Sequence, residues 1–172
     1  MNGERAQKIR LFIFDVDGVL TDGRIVYDAN GVESKFFNVK DGHGIKMLQR
    51  AGIRVAIISG RESEVVTRRA AELGIDLVYQ RALDKVVPYQ EILKKTGCSD
   101  AEVAYMGDDL PDIPLLRRVG LAAAPADALE YVLPHAHIIA VHRGGWGAVR
   151  EICDFILKEQ GLWDTITEKY FI

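Results

Sequence analysis

A short apolar run that ends in two aspartates constrains this 172-residue chain more than any other feature. Residues 11–14 lie between Arg10 and Asp15, and such a run is typical of a buried strand of a parallel sheet. Asp15 and Asp17 follow at once, and two carboxylates at the end of a buried strand are costly unless a cation compensates them. A divalent metal ion beside a phosphate group would do so. The alternative is a surface turn that caps a helix, but Gly18 and Thr21 extend the same pattern and favour the phosphate site.

Apolar runs alternate with helical patterns along most of the chain. The predicted strands are Leu11–Phe14, Val55–Ile58, Leu77–Tyr79, Val103–Met106, Leu121–Ala124 and Ile138–Val141. This alternation predicts an α/β fold with a doubly wound, mostly parallel sheet, and right-handed crossovers then place helices on both of its faces. The length and a hydrophobic content of 48% are those of one domain with a substantial core. We therefore predict a single domain over residues 1–172.

Residues 24–39 interrupt the alternation and predict a β-hairpin insertion. Asn30-Gly31 is a strong turn signal between two extended stretches. The apolar side chains on the predicted strands are Ile25, Tyr27, Phe36 and Val39. An isolated hairpin cannot bury that much apolar surface, so we expect it to contact another surface.

Polar residues follow four predicted strands at the carboxyl edge of the sheet, where open α/β sheets bind their ligands. Beyond Asp15 and Asp17 they are Ser59, Gly60 and Arg61 after the second strand, Lys85 after the third, and Asp108, Asp109 and Asp112 after the fourth. Taken singly, Ser59 or Asp109 could cap a helix and Lys85 could be a surface lysine. Their common position favours one phosphate-binding site.

Composition excludes several classes of partner. A net charge of −3 and a pI near 5.8 argue against nucleic acid and membrane as main partners. No apolar run approaches the roughly 20 residues of a membrane-spanning helix, and the start of the chain is polar, without a signal-peptide core. Cys98 and Cys153 are far apart and indicate neither a disulfide framework nor a zinc site. We expect a cytoplasmic protein with a small-molecule substrate.

The stretch around Asp15 resembles the signature of the haloacid dehalogenase superfamily, a hydrophobic strand followed by DxDGxxT or DxDGxxV. Ser59, Lys85 and residues 107–112 match its other three motifs in the same order. The resemblance implies a Mg²⁺-dependent phosphatase. It also implies that Asp15 attacks phosphorus to form an aspartyl-phosphate and that Asp17 serves as general acid and base.

The same resemblance implies roles for the other site residues. It implies that Asp15, the backbone carbonyl of Asp17 and Asp108 bind Mg²⁺. Asp109 and Asp112 would not bind the ion directly but would hold its water ligands, Lys85 or the loop in place. It places the phosphate oxygens on Ser59, Gly60 and Lys85. A carboxylate on the substrate would need further cations, and the candidates are Arg61, Arg68, Arg81 and Lys40.

The chain resembles a capless branch of the superfamily. Only the hairpin lies between Asp22 and Asp41, and only one helix and one strand lie between Ser59 and Lys85. Within that branch the chain resembles the phosphatases that hydrolyse the phosphate ester of an eight-carbon keto-sugar acid in lipopolysaccharide precursor synthesis. The resemblance implies a homotetramer that joins through the hairpins, so that each active site is completed at a subunit interface.

The glycine-rich tail and C-terminal helix, residues 143–172, belong to the same resemblance. Two residues depart from it, because Arg81 stands where the branch usually has glycine and Trp146 where it often has arginine. Both lie where the sugar should be recognised, so a nine-carbon keto-sugar acid phosphate stays open as the alternative substrate.

Two other classes share part of the pattern. A response-regulator receiver also combines acidic residues, Ser or Thr and Lys on such a sheet, but its phospho-acceptor follows the third strand and has no aspartate two residues later. Here Asp15 and Asp17 follow the first strand, which favours the phosphatase. A catalytically idle assembly domain is the second alternative, and the intact set of site residues argues against it.

Overall fold

The computed structural model describes residues 2–172 and has one six-stranded parallel sheet. Its strands are β1 (Leu11–Phe14), β4 (Arg54–Ile58), β5 (Leu77–Tyr79), β6 (Val103–Met106), β7 (Leu121–Ala124) and β8 (Ile138–Ile139), in the order β5-β4-β1-β6-β7-β8. The helices are α1 (Asn2–Ala6), α2 (Val39–Arg50), α3 (Glu64–Leu73), α4 (Val86–Thr96), α5 (Ile113–Leu116), α6 (Ala148–Glu159) and α7 (Trp163–Thr167). The predicted doubly wound α/β fold is confirmed, with β8 two residues shorter than predicted.

Strand β1 lies in the centre of the sheet and is buried on both faces. Phe12 and Phe14 pack on one face with residues of α2, α3 and α6, whereas Leu11 and Ile13 pack on the other face with residues of α4 and α5. All four side chains are fully buried, as the uninterrupted apolar run predicts. The residues that follow β1 therefore emerge at the middle of the carboxyl edge, between the loops after β4 and β6.

The hairpin is shorter than the sequence predicts. Its strands are β2 (Val26–Tyr27) and β3 (Glu33–Ser34), which pair in antiparallel register. Val39 is already the first residue of α2, because the Asn38 side chain caps that helix and accepts a 2.8 Å hydrogen bond from the backbone N–H of Lys40. No cap domain is present in residues 2–172, and no helix among them is long and apolar enough to cross a membrane.

Candidate active site

The loop after β1 is a tight turn that the DxDGxxT pattern explains. Asp15 is buried at the end of the strand, and the Val16 carbonyl accepts hydrogen bonds from the backbone N–H groups of Leu20 (2.9 Å) and Thr21 (3.1 Å). The Thr21 hydroxyl accepts further bonds from the N–H groups of Gly18 and Gly23. The threonine at this spacing therefore fixes the turn that carries Asp15 and Asp17.

Lys85 is a buried residue of the site rather than a surface lysine. Its Nζ lies 2.6 Å from Asp15 Oδ1 and 2.6 Å from Asp112 Oδ1, and 5% of its side chain is exposed. Burial by itself would lower the pKa of Lys85, but the two carboxylates outweigh it and raise that pKa. The ammonium is therefore a fixed positive charge beside Asp15.

Asp112 uses both carboxylate oxygens to hold the site together. Oδ1 accepts hydrogen bonds from Lys85 and from the hydroxyl of Tyr105, and Oδ2 accepts from the N–H groups of Asp108 (2.9 Å) and Asp109 (3.1 Å). Tyr105 was not among the predicted site residues. The available signal was a residue with a polar end inside the otherwise apolar strand β6.

The site carries more negative charge than its lysine neutralises. Asp15, Asp108 and Asp112 each offer an oxygen atom, and these atoms lie within 4.8 Å of one another. Burial raises the pKa of Asp15 to about 7, and burial together with the neighbouring carboxylates raises that of Asp108 to about 8. Asp108 Oδ1 is buried without a hydrogen-bond partner among residues 2–172. A hard divalent cation with oxygen ligands fits this donor set.

Gly18 makes room for the Asp108 carboxylate. Its φ is +94°, and a Cβ atom built on it would collide with the side chain of Asp108. Both constraints require glycine, since an L side chain would be strained in that conformation and would displace Asp108. The glycine of the signature thus brings the first and the last acidic motif together.

Ser59 follows β4 and lines the same cleft as the acidic residues. The cleft has a volume of about 240 Å³, and its other polar lining residues are Asp15, Asp17, Arg61, Lys85, Asp108, Asp109 and Asp112. The Ser59 side chain does not cap α3, because Ser63 is the N-cap residue of that helix. Asp109 does cap the short turn Leu110–Asp112, with its Oδ1 accepting from the N–H of Leu110 at 2.6 Å.

The four cationic residues predicted as candidates to bind a substrate carboxylate differ in whether they line the cleft. Arg61 lines the cleft. Arg68 is exposed on α3, outside the set of described residues that line the cleft, and Lys40 is exposed near the start of α2. Arg81 has a φ of +56° and pairs with Glu62 at the surface, its side chain 77% exposed.

The polar side of the hairpin lies against the site, although only its apolar side chains were predicted to make contacts. Lys35 Nζ lies 2.5 Å from Asp17 Oδ1, and Glu33 Oε1 lies 3.0 Å from a guanidinium nitrogen of Arg61. The Tyr27 hydroxyl also contacts Arg61, at 3.1 Å. The sequence did contain an indication of this polar side, because Glu33 and Lys35 are charged and occupy alternate positions of β3 and its continuation.

The glycine-rich tail contacts the loop after β1 from its other side. The Gly145 N–H donates to the Val19 carbonyl (3.0 Å), and the Gly144 N–H donates to Asp127 Oδ1 (2.9 Å). A Cβ atom on Gly144 would overlap the carbonyl group of Gly18, so this close approach requires glycine. Trp146 next to them is mostly exposed.

The fold and the order of the site residues along the chain are those of the haloacid dehalogenase-like hydrolases, and the family model of these hydrolases matches residues 39–120. The 3-deoxy-D-manno-octulosonate 8-phosphate phosphatase of Yersinia pestis is 50% identical over 157 residues, which cover 91% of this chain and 84% of that protein. The corresponding Escherichia coli K12 phosphatase is 46% identical over 160 residues, with coverage of 93% and 85%.

A solved structure extends the comparison. The Moraxella catarrhalis 3-deoxy-D-manno-octulosonate 8-phosphate phosphatase, crystallised in complex with a magnesium ion, a phosphate ion and a KDO molecule, is 41% identical with a TM-score of 0.95. The match covers 98% of this chain and 97% of that one. The chain therefore belongs to the 3-deoxy-D-manno-octulosonate 8-phosphate phosphatase family, and the resemblance inferred from its motifs is confirmed.

Proposed function

We propose that this protein is a Mg²⁺-dependent phosphatase that hydrolyses 3-deoxy-D-manno-octulosonate 8-phosphate to the free keto-sugar acid and inorganic phosphate. The observation that carries the proposal is the Lys85 ammonium held 2.6 Å from both Asp15 and Asp112. Asp108 lies beside them, and Asp17 lines the same cleft. The relatives named for this ester, at 50% and 46% identity, support the choice of substrate.

The proposed reaction has two steps, both centred on Asp15. A carboxylate oxygen of Asp15 attacks phosphorus, the ester P–O bond breaks, and an aspartyl-phosphate forms. Asp17 gives its proton to the leaving sugar oxygen and then accepts a proton from water. The oxygen of that water attacks phosphorus, the bond between phosphorus and Asp15 breaks, and phosphate leaves.

The remaining residues bind the phosphate group and the metal ion. Ser59, the Gly60 backbone and Lys85 would bind phosphate oxygens, and Lys85 also offsets the charge of Asp15. Asp15, the Asp17 carbonyl and Asp108 would hold Mg²⁺, which when bound neutralises charge on the phosphate. Asp112 and Asp109 are assigned to positioning, because their oxygens already accept hydrogen bonds from the protein.

Arg61 is the proposed anchor of the substrate carboxylate, because it lines the cleft and its planar guanidinium can bind a carboxylate with two parallel hydrogen bonds. Arg68 and Arg81 remain further candidates that would need a neighbouring subunit or a conformational change to reach the sugar. We expect Arg61→Lys to raise KM more than it lowers kcat, since this contact exists in both the ground and the transition state. Steady-state kinetics on the sugar ester would measure both constants, and a loss confined to kcat would contradict the assignment.

Substrate choice is tested by comparing kcat/KM for the eight-carbon ester and for a nine-carbon keto-sugar acid 9-phosphate, with phosphate release as the readout. We expect the eight-carbon ester to be preferred. A tenfold preference for the nine-carbon ester, equal to about 1.4 kcal/mol of transition-state free energy, would show that the sugar is wrong. Arg81 and Trp146, the two departures from the family pattern, are the observations that favour that second candidate.

We also propose a homotetramer built on the hairpin, with the active sites at subunit interfaces. The hairpin exposes the apolar side chains Ile25, Tyr27, Val32 and Phe36, each more than half accessible in the single chain. The cleft of about 240 Å³ is smaller than the roughly 300–1,000 Å³ of typical ligand pockets. A neighbouring subunit would both cover the apolar side and deepen the site.

Charged replacements on the apolar side of the hairpin test this assembly. Ile25→Asp and Phe36→Asp should convert the tetramer to smaller species and lower kcat/KM together, because a buried aspartate without a partner opposes association. Light scattering after size-exclusion chromatography gives the mass. Val141→Asp, at an exposed apolar residue outside the hairpin, is the matched control. A wild-type monomer at micromolar concentration would contradict the proposal.

The compartment and the pathway belong to the same proposal. Cys98 and Cys153 are both buried free thiols, as is usual for a protein of the reducing cytoplasm. Release of the free keto-sugar acid there would serve the synthesis of lipopolysaccharide precursors.

A further inference from the structure

Lys35 is a buried cation on a hairpin whose neighbouring side chains are exposed. Its side chain is 1% exposed, whereas Ile25 and Phe36 are each 56% exposed. A buried ammonium is costly unless it is paired, so the contacts of Lys35 determine whether the hairpin can adopt this position. These contacts are Asp17 Oδ1 at 2.5 Å and Glu33 Oε1 at 3.3 Å.

Glu33 fixes Lys35 to the rest of the protein. Its Oε1 accepts a hydrogen bond from Arg61 at 3.0 Å, and its Oε2 accepts one from the hydroxyl of Ser63 at 2.5 Å. Ser63 is the N-cap residue of α3 and is therefore part of the rigid scaffold. The pairing of opposite charges runs from Asp17 through Lys35 and Glu33 to Arg61, and the hairpin links the loop after β1 to the loop after β4.

Asp17 is joined to this link through one of its two carboxylate oxygens. Among residues 2–172, Lys35 is the one side chain that bonds to the Asp17 carboxylate, and it bonds to Oδ1. The other oxygen, Oδ2, accepts no hydrogen bond from a side chain among these residues, and Asp17 lines the cleft. A general acid must present its proton within hydrogen-bond distance of the leaving oxygen, so a fixed carboxylate is an advantage for catalysis.

We propose that Lys35 is a positioning residue for the general acid and base: it holds one oxygen of Asp17 so that the other faces the leaving oxygen of the ester. The inference rests on the proposed phosphatase function and deepens it by giving the hairpin a part in the chemistry. Glu33 then acts one step further away, because it keeps the Lys35 ammonium next to Asp17.

Loss of Asp17 positioning should affect substrates differently, according to how much their leaving group needs a proton. An alkoxide leaves poorly and requires a general acid, whereas 4-nitrophenolate leaves without one. The value of kcat/KM reports the steps through the first irreversible one, which here is formation of the aspartyl-phosphate. Loss of Asp17 positioning should therefore lower kcat/KM for an alkyl phosphate and spare that for 4-nitrophenyl phosphate.

The test compares Lys35→Met, Lys35→Arg and Glu33→Gln with the wild type on three esters: 3-deoxy-D-manno-octulosonate 8-phosphate, glycerol 3-phosphate and 4-nitrophenyl phosphate. Lys35→Met keeps a linear side chain of similar length but removes the charge. We expect it to lower kcat/KM roughly tenfold or more on the alkyl esters and less than about threefold on the aryl ester, within the roughly 10²–10⁴-fold range of general acid catalysis. Lys35→Arg should restore part of the loss, and Glu33→Gln should give a smaller loss in the same direction.

Controls separate this role from a structural one. Lys94→Met removes an exposed lysine of α4 and should leave all three values unchanged. Melting temperature, oligomeric mass and Mg²⁺ affinity are measured for every variant. If Lys35→Met does not fold, the ratio of alkyl to aryl activity in Lys35→Arg and Glu33→Gln decides the matter, since both keep polar side chains.

An equal fall on the alkyl and aryl esters would overturn the proposal, as would a rise in KM for the sugar ester alone, which would make Lys35 a substrate ligand. A wild-type enzyme that hydrolyses glycerol 3-phosphate and 4-nitrophenyl phosphate but not the sugar ester would refute the proposed substrate. The role of Lys35 would still be tested by the other two esters.

Discussion

Asp15→Asn is expected to keep the fold and to lose nearly all turnover. The variant removes the attacking oxygen charge, and loss of a nucleophile costs up to about 10⁶-fold in kcat in other hydrolases. The fold should survive, because the asparagine oxygen can still accept a hydrogen bond from Lys85 and because the site already holds three carboxylates against one lysine. Phosphate release and thermal melting would be measured on the same samples. Wild-type turnover in Asp15→Asn would remove Asp15 from its proposed role.

Asp17→Asn provides the comparison for this experiment. A general acid and base contributes roughly 10²–10⁴-fold, so this variant should be severely impaired but less so than Asp15→Asn. A phosphoester that carries a radioactive label in its phosphoryl group distinguishes the two variants, because it labels the protein only where an aspartyl-phosphate forms. Asp17→Asn can still form the aspartyl-phosphate, most readily from an aryl ester, whereas Asp15→Asn cannot form it at all. A labelled Asp15→Asn protein would therefore contradict the assignment of the nucleophile.

Removal of the divalent metal ion is expected to abolish activity, and Mg²⁺ should restore it. Mg²⁺ at 100 times its dissociation constant would stabilise the folded protein by about 2.7 kcal/mol. A chain of this length gains roughly 2–4 °C in melting temperature per kcal/mol, so a rise of about 5–10 °C is expected. Mg²⁺ should stabilise the fold because Asp15, Asp108 and Asp112 lie close together. Within residues 2–172, Lys85 is the one side chain that forms an ion pair with this cluster.

Asp108→Ala should lose both effects of the metal ion. It removes the buried, unpartnered oxygen Oδ1 and should abolish the Mg²⁺-dependent rise in melting temperature together with turnover. Asp76→Asn is the matched control, because it removes one negative charge at an exposed residue outside the site. Full activity after exhaustive chelation, or an unchanged metal response in Asp108→Ala, would contradict the proposed ligand set.

The sheet and the acidic and phosphate-binding motifs could be predicted from the sequence because their signals are local. An apolar run of four residues, an aspartate pair and a glycine need no knowledge of distant residues to be interpreted. In a parallel sheet the carboxyl ends of neighbouring strands meet at one edge, so Asp15, Ser59 and Asp108 could be expected to lie together before their distances were known. The structure brings all three to one cleft.

Residues that act through long side chains were not predictable in the same way. Arg61, Arg68 and Arg81 are equally cationic in the sequence. In the structure Arg61 lies in the loop between β4 and α3 and lines the cleft, whereas Arg68 is exposed on α3 and Arg81 is exposed in the loop after β5. The direction of each side chain depends on how α3 and these loops pack against the sheet, and no local pattern fixes that packing.

The hairpin shows most clearly which features are local in the sequence and which depend on tertiary packing. Its turn signal and its apolar residues can be identified in the sequence, because Asn30-Gly31, Ile25 and Phe36 are local features. The pairing of Lys35 with Asp17 depends on how the whole hairpin docks against the loop after β1, 18 residues earlier in the chain. The sequence by itself therefore determined the fold class and the kind of chemistry, whereas only the tertiary structure decided which charged side chains surround Asp17, because those contacts join segments whose relative position is set by packing.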